Sequence, residues 1–266
     1  MGIGKELKDA KPSIMGILNV TPDSFSDGGD FVSVEDALAQ VEKMVADGAT
    51  VIDVGGESTR PGADFVSQEE EIRRIVPIIK AIKARFDVLV SIDTYKTATA
   101  RAALEAGADI LNDVWAGLYD GQMLALAAEK QVPLILMHNQ EQDSYQDVTQ
   151  EVCDFLQERA QAALAAGLAQ ENIWLDPGFG FAKNAQQNLE LLKGLDQVTQ
   201  LGYPVLFGIS RKRIVDYLLG GQTLAKDRDQ ATAALSVYAI SKGCQMVRVH
   251  NVAANRDAVK VASQLI

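Results

Sequence analysis

The chain has 266 residues, with 25 basic and 36 acidic side chains that leave a formal net charge of −11. This acidity argues against nucleic-acid binding, which needs a basic face to displace counterions. No apolar run approaches the roughly 18 residues that span a bilayer, and the amino terminus has no apolar signal core. Two cysteines, Cys153 and Cys244, are too few and too far apart for a disulfide scaffold or a zinc motif. The composition therefore predicts a cytoplasmic globular protein.

Short aliphatic runs alternate with amphipathic stretches along the chain. The runs that we predict as strands are 14–20, 50–55, 88–92, 109–114, 132–137, 173–176, 204–208 and 245–249. Each is mostly apolar, as expected of a strand that is covered on both faces. Helical stripes lie between them, for example in 34–45 and 72–82, where Pro77 is expected to kink the second helix. Ser67 and Glu70 have the spacing of a capping box at the start of that helix.

Eight strand–helix units without a dividing linker predict an α/β protein with a (β/α)8 TIM barrel. We expect a single domain over residues 1–266, with its core at about 14–264. A doubly wound sheet is the alternative. The regular repetition of the units and the lack of a glycine-rich first turn count against it.

Polar residues follow the predicted strands, where the active sites of such barrels lie. They are Asn19, Asp53, Asp93, Asn112, Asp113, His138, Asp176, Ser210, Lys212, Arg248 and His250. Any one of them alone fits a helix cap or a turn residue equally well. Their recurrence after all eight runs predicts an active site at this rim.

Two long loops follow the first two strands, at 21–30 and 55–63. Both contain Gly, Pro and Ser, and the first also contains Asp, as is typical of turn-forming loops. Phe25 is an apolar residue inside the first loop, which favours closure over a ligand. The alternative is that both segments are ordinary surface loops.

The segment 176–181 combines a carboxylate at a strand end with nearby aromatic rings. Asp176 in this position suits a ligand edge with two adjacent N–H donors, and an aromatic neighbour suits a flat ring. Aminopyrimidine heterocycles present such an edge. The alternative is that Asp176 caps the following segment while Phe179 and Phe181 belong to the core.

Basic residues follow the last two strands. Arg248 and His250 lie on the same side of an extended segment, and together with a helix amino terminus they would bind a di-anion such as pyrophosphate. The run 211–213 also fits an ordinary solvated charge cluster. With only two histidines in the chain, neither a His-rich metal site nor a Ser–His–Asp triad is well supported.

Taken together, these motifs resemble those of the dihydropteroate synthases. The motifs that carry the resemblance are NVTPDSFSDGG at 19–29, GESTRPG at 56–62, SIDT at 91–94, ND at 112–113, DPGFGF at 176–181, SRK at 210–212 and RVH at 248–250. They occur in order over about 14–264. The resemblance implies a homodimeric (β/α)8 transferase of bacterial folate biosynthesis, which is a sulfonamide target. Its small-molecule substrates are 6-hydroxymethyl-7,8-dihydropterin pyrophosphate and p-aminobenzoate, and Mg²⁺ assists the release of pyrophosphate.

The resemblance also implies roles for individual residues. The pterin pocket would contain Asp93, Asn112, Asp176 and Lys212; the pyrophosphate would contact Asn19, Arg248 and His250; the aminobenzoate side would contain Thr59, Arg60, Pro61, Phe181 and Ser210. Met137 completes the substrate-binding set, Asn19 also contacts Mg²⁺, and Asp93, Lys212, Arg248 and His250 are the expected catalytic residues. Two residues depart from the family pattern. Many members have Met at the position of Asn139, and the family usually has Asp at the position of Asn251.

Two other readings stay open. A pterin-dependent methyl-transfer domain would share the barrel, but it is not expected to carry both loops and usually accompanies a corrinoid domain. A non-catalytic pterin-binding homologue would be indicated by the loss of Lys212, Arg248 or either loop, and the chain retains all of them.

Overall fold

The computed structural model describes residues 2–9, 12–21, 33–58 and 63–265. The strands within these ranges are β1 (Ser13–Asn19), β2 (Val51–Gly55), β3 (Leu89–Asp93), β4 (Ile110–Asp113), β5 (Leu134–Met137), β6 (Ile173–Asp176), β7 (Leu206–Phe207) and β8 (Met246–Val249). They form one parallel sheet in the order β6-β5-β4-β3-β2-β1-β8-β7. A bridge between Leu175 and Val205 joins β6 to β7 and closes the sheet. The predicted (β/α)8 barrel is confirmed.

Helices surround the strands. Those within the described ranges are α1 (Ile3–Asp9), α2 (Val34–Ala46), α3 (Gln68–Arg85), α4 (Thr97–Ala106), α5 (Met123–Lys130), α6 (Val148–Ala165), α7 (Ala185–Lys193), α8 (Leu195–Thr199), α9 (Arg213–Leu218), α10 (Asp229–Ser241) and α11 (Val252–Ala262). In these ranges, no helix is both long enough and apolar enough to cross a membrane.

The start of α3 agrees with the predicted cap, and its interior contains the predicted proline. The Ser67 hydroxyl accepts a hydrogen bond from the Glu70 backbone N–H at 3.3 Å. The Glu70 carboxylate bonds to Arg73 and Arg74, so Ser67 provides one half of a capping box. The helix continues through Pro77 to Arg85.

The apolar core has two parts, because successive strand residues point to opposite faces of the sheet. Outward-facing residues such as Ile52, Val54 and Ile92 pack against the helices. Inward-facing residues form what we call the amino-terminal layer. It consists of Met15, Val51, Leu89, Ile110, Ile135, Trp174, Leu206 and Met246, one from each strand.

Helix α1, which was not predicted, covers this end of the barrel. Leu7 packs against the amino-terminal layer and is buried. Gly4 lies against a 3-10 turn at Gln170–Asn172, where a Cβ would come within 2.2 Å of Asn172 Oδ1 and 2.5 Å of the Glu171 carbonyl. The close approach requires glycine at this position. The opposite end of the barrel is the one that carries polar side chains.

Candidate active site

Polar side chains from four strands meet inside the barrel, beyond the amino-terminal layer. Arg248 Nε donates to Asp53 Oδ2 at 2.6 Å, and Arg248 Nη2 donates to Asp93 Oδ2 at 2.7 Å. Asn112 Nδ2 donates to the same Asp53 oxygen at 3.2 Å. These residues lie on the inner face because they follow Val51, Leu89, Ile110 and Met246 at even spacing. A guanidinium on β8 therefore bridges carboxylates on β2 and β3.

Two buried carboxylates share this one guanidinium. Burial is the main cause that raises the pKa of Asp93 to about 7; Arg248 opposes the increase and Asp53 adds to it. The Oδ1 atoms of Asp53 and Asp93 are also buried and have no hydrogen-bond partner. A buried acceptor without a partner is unfavourable, so this end of the barrel has two oxygens positioned to accept hydrogen bonds from a ligand.

Asp176 ends β6 in a buried position close to the same cluster. Its Oδ1 accepts a hydrogen bond from the Gly178 backbone N–H at 2.7 Å. Its Oδ2 lies 3.3 Å from the point where a Cβ on Gly208 would stand, so a glycine borders this oxygen. Burial raises the pKa of Asp176, while Lys212 opposes the increase. The hydrogen bond from Gly178 agrees with the alternative that Asp176 caps the segment after β6. That Asp176 also accepts hydrogen bonds from a ligand stays a prediction.

Lys212 extends from the loop after β7 to the loop after β6. Its Nζ donates to the Phe179 carbonyl at 2.6 Å and lies 4.6 Å from the centre of the Phe181 ring. Burial lowers the pKa of Lys212 to about 8, and Asp176 opposes the decrease. The two aromatic residues of this loop differ, because Phe179 is buried against Phe207 whereas Phe181 is only partly buried. Phe179 thus belongs to the core, and Phe181 borders the polar cluster through Lys212.

Ser210 and His250 form a separate contact between the loops after β7 and β8. The Ser210 hydroxyl lies 3.0 Å from His250 Nδ1 and accepts a hydrogen bond from the His250 backbone N–H at 3.1 Å. The structure thus places Arg248 with Asp53 and Asp93, and His250 with Ser210. A hydroxyl that donates to Nδ1 would leave the proton of a neutral imidazole on Nε2.

Asn19 is the predicted contact for Mg²⁺. It ends β1, and its Oδ1 lies 3.8 Å from the point where a Cβ on Gly55 would stand. Among the described residues, no group of three or more His, Cys, Asp or Glu side chains could hold a metal. Mg²⁺ usually keeps several waters and binds through one or two protein oxygens together with substrate phosphates. A single amide oxygen therefore fits a Mg²⁺ ion that is held mainly by a pyrophosphate.

The remaining predicted residues divide into two groups. Thr59, Arg60 and Pro61 lie outside the described residues, as does Phe25 in the first loop. Met137 is buried at the end of β5, in register with Asp176, and its Cγ lies 3.4 Å from the point where a Cβ on Gly178 would stand. It therefore lies against the loop after β6.

Three residues to which the sequence analysis gave no individual role contact the site or its loops. Asp53 holds both Arg248 and Asn112. Glu57 bonds to Lys96 and accepts a hydrogen bond from the Tyr95 hydroxyl at 3.0 Å. It also accepts one from the Val66 backbone N–H at 3.2 Å, which joins the start of the second loop to the segment that precedes α3. Lys183 is buried within the loop after β6 and donates to the Gly178 carbonyl. The sequence did offer a signal for Asp53, because a charged residue inside the apolar run of β2 is unusual.

The two departures from the family pattern both lie in loops at this rim. Asn251 caps α11 by accepting a hydrogen bond from the Ala254 backbone N–H at 3.1 Å, and its Nδ2 donates to Asp229 Oδ2 at 2.8 Å. An aspartate there would lack that donor and would face the Asp229 carboxylate. Asn139 Oδ1 accepts a hydrogen bond from the Gln140 backbone N–H at 2.9 Å.

Comparisons with known proteins agree on one family. The model of the pterin binding enzyme family matches residues 15–250. A dihydropteroate synthase of Streptococcus pyogenes serotype M6 is 71% identical over 266 residues, which is 100% of both chains. A Clostridium difficile dihydropteroate synthase, crystallised in the presence of pteroic acid, superposes with a TM-score of 0.92 at 42% identity, over 96% of this chain and 97% of that one. A Xanthomonas albilineans dihydropteroate synthase with 4-aminobenzoic acid also superposes with a TM-score of 0.92, at 44% identity, over 97% of this chain and 94% of that one.

Proposed function

The chain belongs to the pterin binding enzyme family, among the dihydropteroate synthases, and we propose that the polar end of its barrel is the active site. The reaction condenses 6-hydroxymethyl-7,8-dihydropterin pyrophosphate with p-aminobenzoate to give 7,8-dihydropteroate and pyrophosphate in folate biosynthesis. The observation that carries the site proposal is the pair Asp53 and Asp93, which share Arg248 and each keep one buried oxygen without a partner.

We assign the pterin to the pocket between β3, β4 and β6. Asp93 and Asp176 are acceptors for the N–H groups of the heterocycle, whereas Asn112 and Lys212 are donors for its ring nitrogens and carbonyl. The buried Met137 supplies apolar contact at the end of β5.

We assign the pyrophosphate to Arg248, His250 and Asn19. An arginine has five N–H donors, and the contacts with Asp53 and Asp93 use two of them. The others are available to phosphate oxygens while the guanidinium stays in place. Mg²⁺, when bound at Asn19, supplies positive charge that stabilises the leaving pyrophosphate. The contact with Ser210 fixes the orientation of the His250 ring.

The reaction needs charge stabilisation more than it needs a nucleophilic side chain. The bond between the pterin methylene carbon and the pyrophosphate oxygen breaks, and the electron pair leaves with the pyrophosphate. Asp93 and Asp176 stabilise the delocalised cation that forms on the pterin. The amine of p-aminobenzoate then forms the new C–N bond and loses a proton. Phe181 and Ser210 border the aminobenzoate in this proposal, with Thr59, Arg60 and Pro61 completing its side.

We further propose that the protein acts in the cytoplasm as a homodimer and binds neither nucleic acid nor a membrane. The family resemblance supports the homodimer, and the net charge of −11 disfavours contact with nucleic acid. Light scattering on the purified protein measures the oligomeric state, and a monomer at micromolar concentration would contradict the homodimer.

The test of the function is the release of pyrophosphate from the pterin pyrophosphate in the presence of p-aminobenzoate and Mg²⁺. We expect release to depend on all three components and on Arg248. The Arg248→Ala variant should lose affinity for the pyrophosphorylated pterin far more than for the free hydroxymethyl pterin. Equal losses for the two ligands would contradict the pyrophosphate role, and release no faster than the uncatalysed background would contradict the function.

A further inference from the structure

The loop after β6 contains a buried lysine, Lys183, two residues beyond the segment 178–181. Lys183 Nζ is 2.9 Å from His138 Nδ1, 3.0 Å from the Gly178 carbonyl and 3.1 Å from the Phe181 carbonyl. Both Lys183 and His138 are buried. An ammonium group has three N–H donors and no acceptor, so these contacts can use all of its hydrogen-bonding capacity. One side chain thus connects the end of β5 to both ends of the segment 178–181.

The backbone of the loop around the segment 178–181 is left-handed at three positions. Gly178, Gly180 and Ala182 have φ of +69°, +79° and +44°, and a left-handed conformation is unfavourable for alanine. A Cβ on Gly178 would come within 2.0 Å of the His138 carbonyl, so the loop lies directly on the end of β5. Lys183 donates to two carbonyls of this segment and links it to His138, which directly follows β5.

The other side of the same segment faces Lys212. The Phe179 carbonyl accepts the hydrogen bond from Lys212 Nζ, and the Phe181 ring lies 4.6 Å from that ammonium. Lys183 binds the carbonyls of Gly178 and Phe181. Gly178 directly precedes Phe179, and Phe181 carries the ring that lies near Lys212. Movement of the loop would change the position of Lys212 directly.

We propose that Lys183 is a positioning residue for the pterin pocket, which acts by holding the loop 178–181 so that Lys212 and the Phe181 ring keep their places. The inference rests on the proposed assignment of Lys212 to that pocket. His138, which directly follows β5, acts as the fixed acceptor. Burial, with Lys183 as the second cause, lowers the pKa of His138 to about 3, so its ring is neutral at neutral pH. Neither residue needs to contact the substrate.

The test is a double-mutant cycle on affinity for 6-hydroxymethyl-7,8-dihydropterin, measured by calorimetry. The Lys183→Met variant keeps the length of the side chain and removes every donor. We expect it to weaken binding about tenfold or more, because the Gly178 and Phe181 carbonyls lose their partner and the loop shifts. When Lys212 is already Met, the same substitution should change the affinity by about threefold or less, since residues that act through one another are not additive.

Two controls separate positioning from general destabilisation. Lys193→Met removes a charge from the exposed end of α7, and Trp174→Leu lowers stability at the opposite end of β6; both should bind the pterin like the wild type. If Lys183→Met does not fold, Lys183→Gln, which keeps two donors, enters the same cycle. Unchanged affinity in the Lys183 variant, or the same tenfold loss without Lys212, would overturn the proposal. A wild-type protein that binds no pterin would instead contradict the proposed function.

Discussion

The two ends of the barrel interior differ in chemistry although the same strands build both. The pairs that share a strand and an inner face are Val51 and Asp53, Ile110 and Asn112, Trp174 and Asp176, and Met246 and Arg248. In each pair a step of two residues changes an apolar side chain into a polar one. Helix α1 covers the apolar end through Leu7, and the polar end is the candidate active site.

From this difference we expect the two ends of the barrel to divide stability and function. Burial of the amino-terminal layer stabilises the fold by roughly 25 cal/mol for each Å² of apolar surface. The polar end works against folding, because buried charges lose hydration and two carboxylate oxygens have no partner. Substitutions at the first end should therefore change the free energy of unfolding, and substitutions at the second end should change ligand affinity.

The largest expected effect is on stability, from Trp174→Ala in the amino-terminal layer. Trp174 is 1% exposed and occupies the centre of β6, and truncating a buried Trp to Ala typically costs about 3–5 kcal/mol. Denaturant unfolding measures the loss, and the KM for the pterin substrate should stay within about threefold at a temperature where the variant is folded. Trp174→Phe is the matched control, because the indole N–H has no partner to lose. A loss of stability below 1 kcal/mol would contradict the division.

The next effect concerns affinity, from Asp176→Asn two residues further along the same strand. The amide keeps the volume but replaces one acceptor with a donor, so a buried ligand N–H loses its partner at a cost of about 1–3 kcal/mol. Calorimetry with a pterin ligand should detect this loss, while the midpoint of thermal unfolding changes much less than for Trp174→Ala. Equal affinity in the variant and the wild type would remove Asp176 from the pterin pocket.

A third effect is the pH dependence of stability, which should arise at the polar end. Burial raises the pKa of Asp93 to about 7, above the value of about 3.9 in an unfolded chain. Between these values the folded state binds more protons, so stability falls as the pH rises, by up to about 1.4 kcal/mol per pH unit. The contribution is fully present below pH 4 and is lost by about pH 7. The free energy of unfolding of the wild type should fall relative to that of Asp93→Asn as the pH rises across this range, whereas a constant difference would argue against a raised pKa of Asp93.

The smallest effect is expected for Gly4→Ala in the helix that covers the apolar end. The new Cβ would collide with the turn at Gln170–Asn172, and overpacking of this kind costs about 1–3 kcal/mol. Alanine favours the helix by about 1 kcal/mol, so the net destabilisation is about 1 kcal/mol. Thermal unfolding measures it, with Gly2→Ala as the control because nothing lies within 4 Å of a Cβ there. A variant more stable than the wild type would show that α1 does not need this close approach.

Much of the fold was predictable because it depends on local patterns. Aliphatic runs and amphipathic stripes give strands and helices close to the observed bounds, as for 173–176 and β6 (Ile173–Asp176). Strand β7 is shorter than predicted, with only Leu206 and Phe207 in the ladder, and Pro204 cannot donate to a ladder. Helix α1 was missed because its seven residues form too short a pattern to identify, and packing against the barrel determines its position.

Of the site, the residue types and their place at one rim were determined by the sequence alone, since each polar residue directly follows an apolar run and parallel strands end at the same rim. The partners were decided by the tertiary structure. Arg248 and Asp53 are 195 positions apart in the chain and meet because barrel closure brings β8 and β2 to either side of β1. Lys183 lacks any distinguishing sequence signal, because its role depends on a histidine 45 positions earlier and on two backbone carbonyls. Hydrogen bonding, burial and pKa depend on distances between side chains, and these exist only once the barrel has closed.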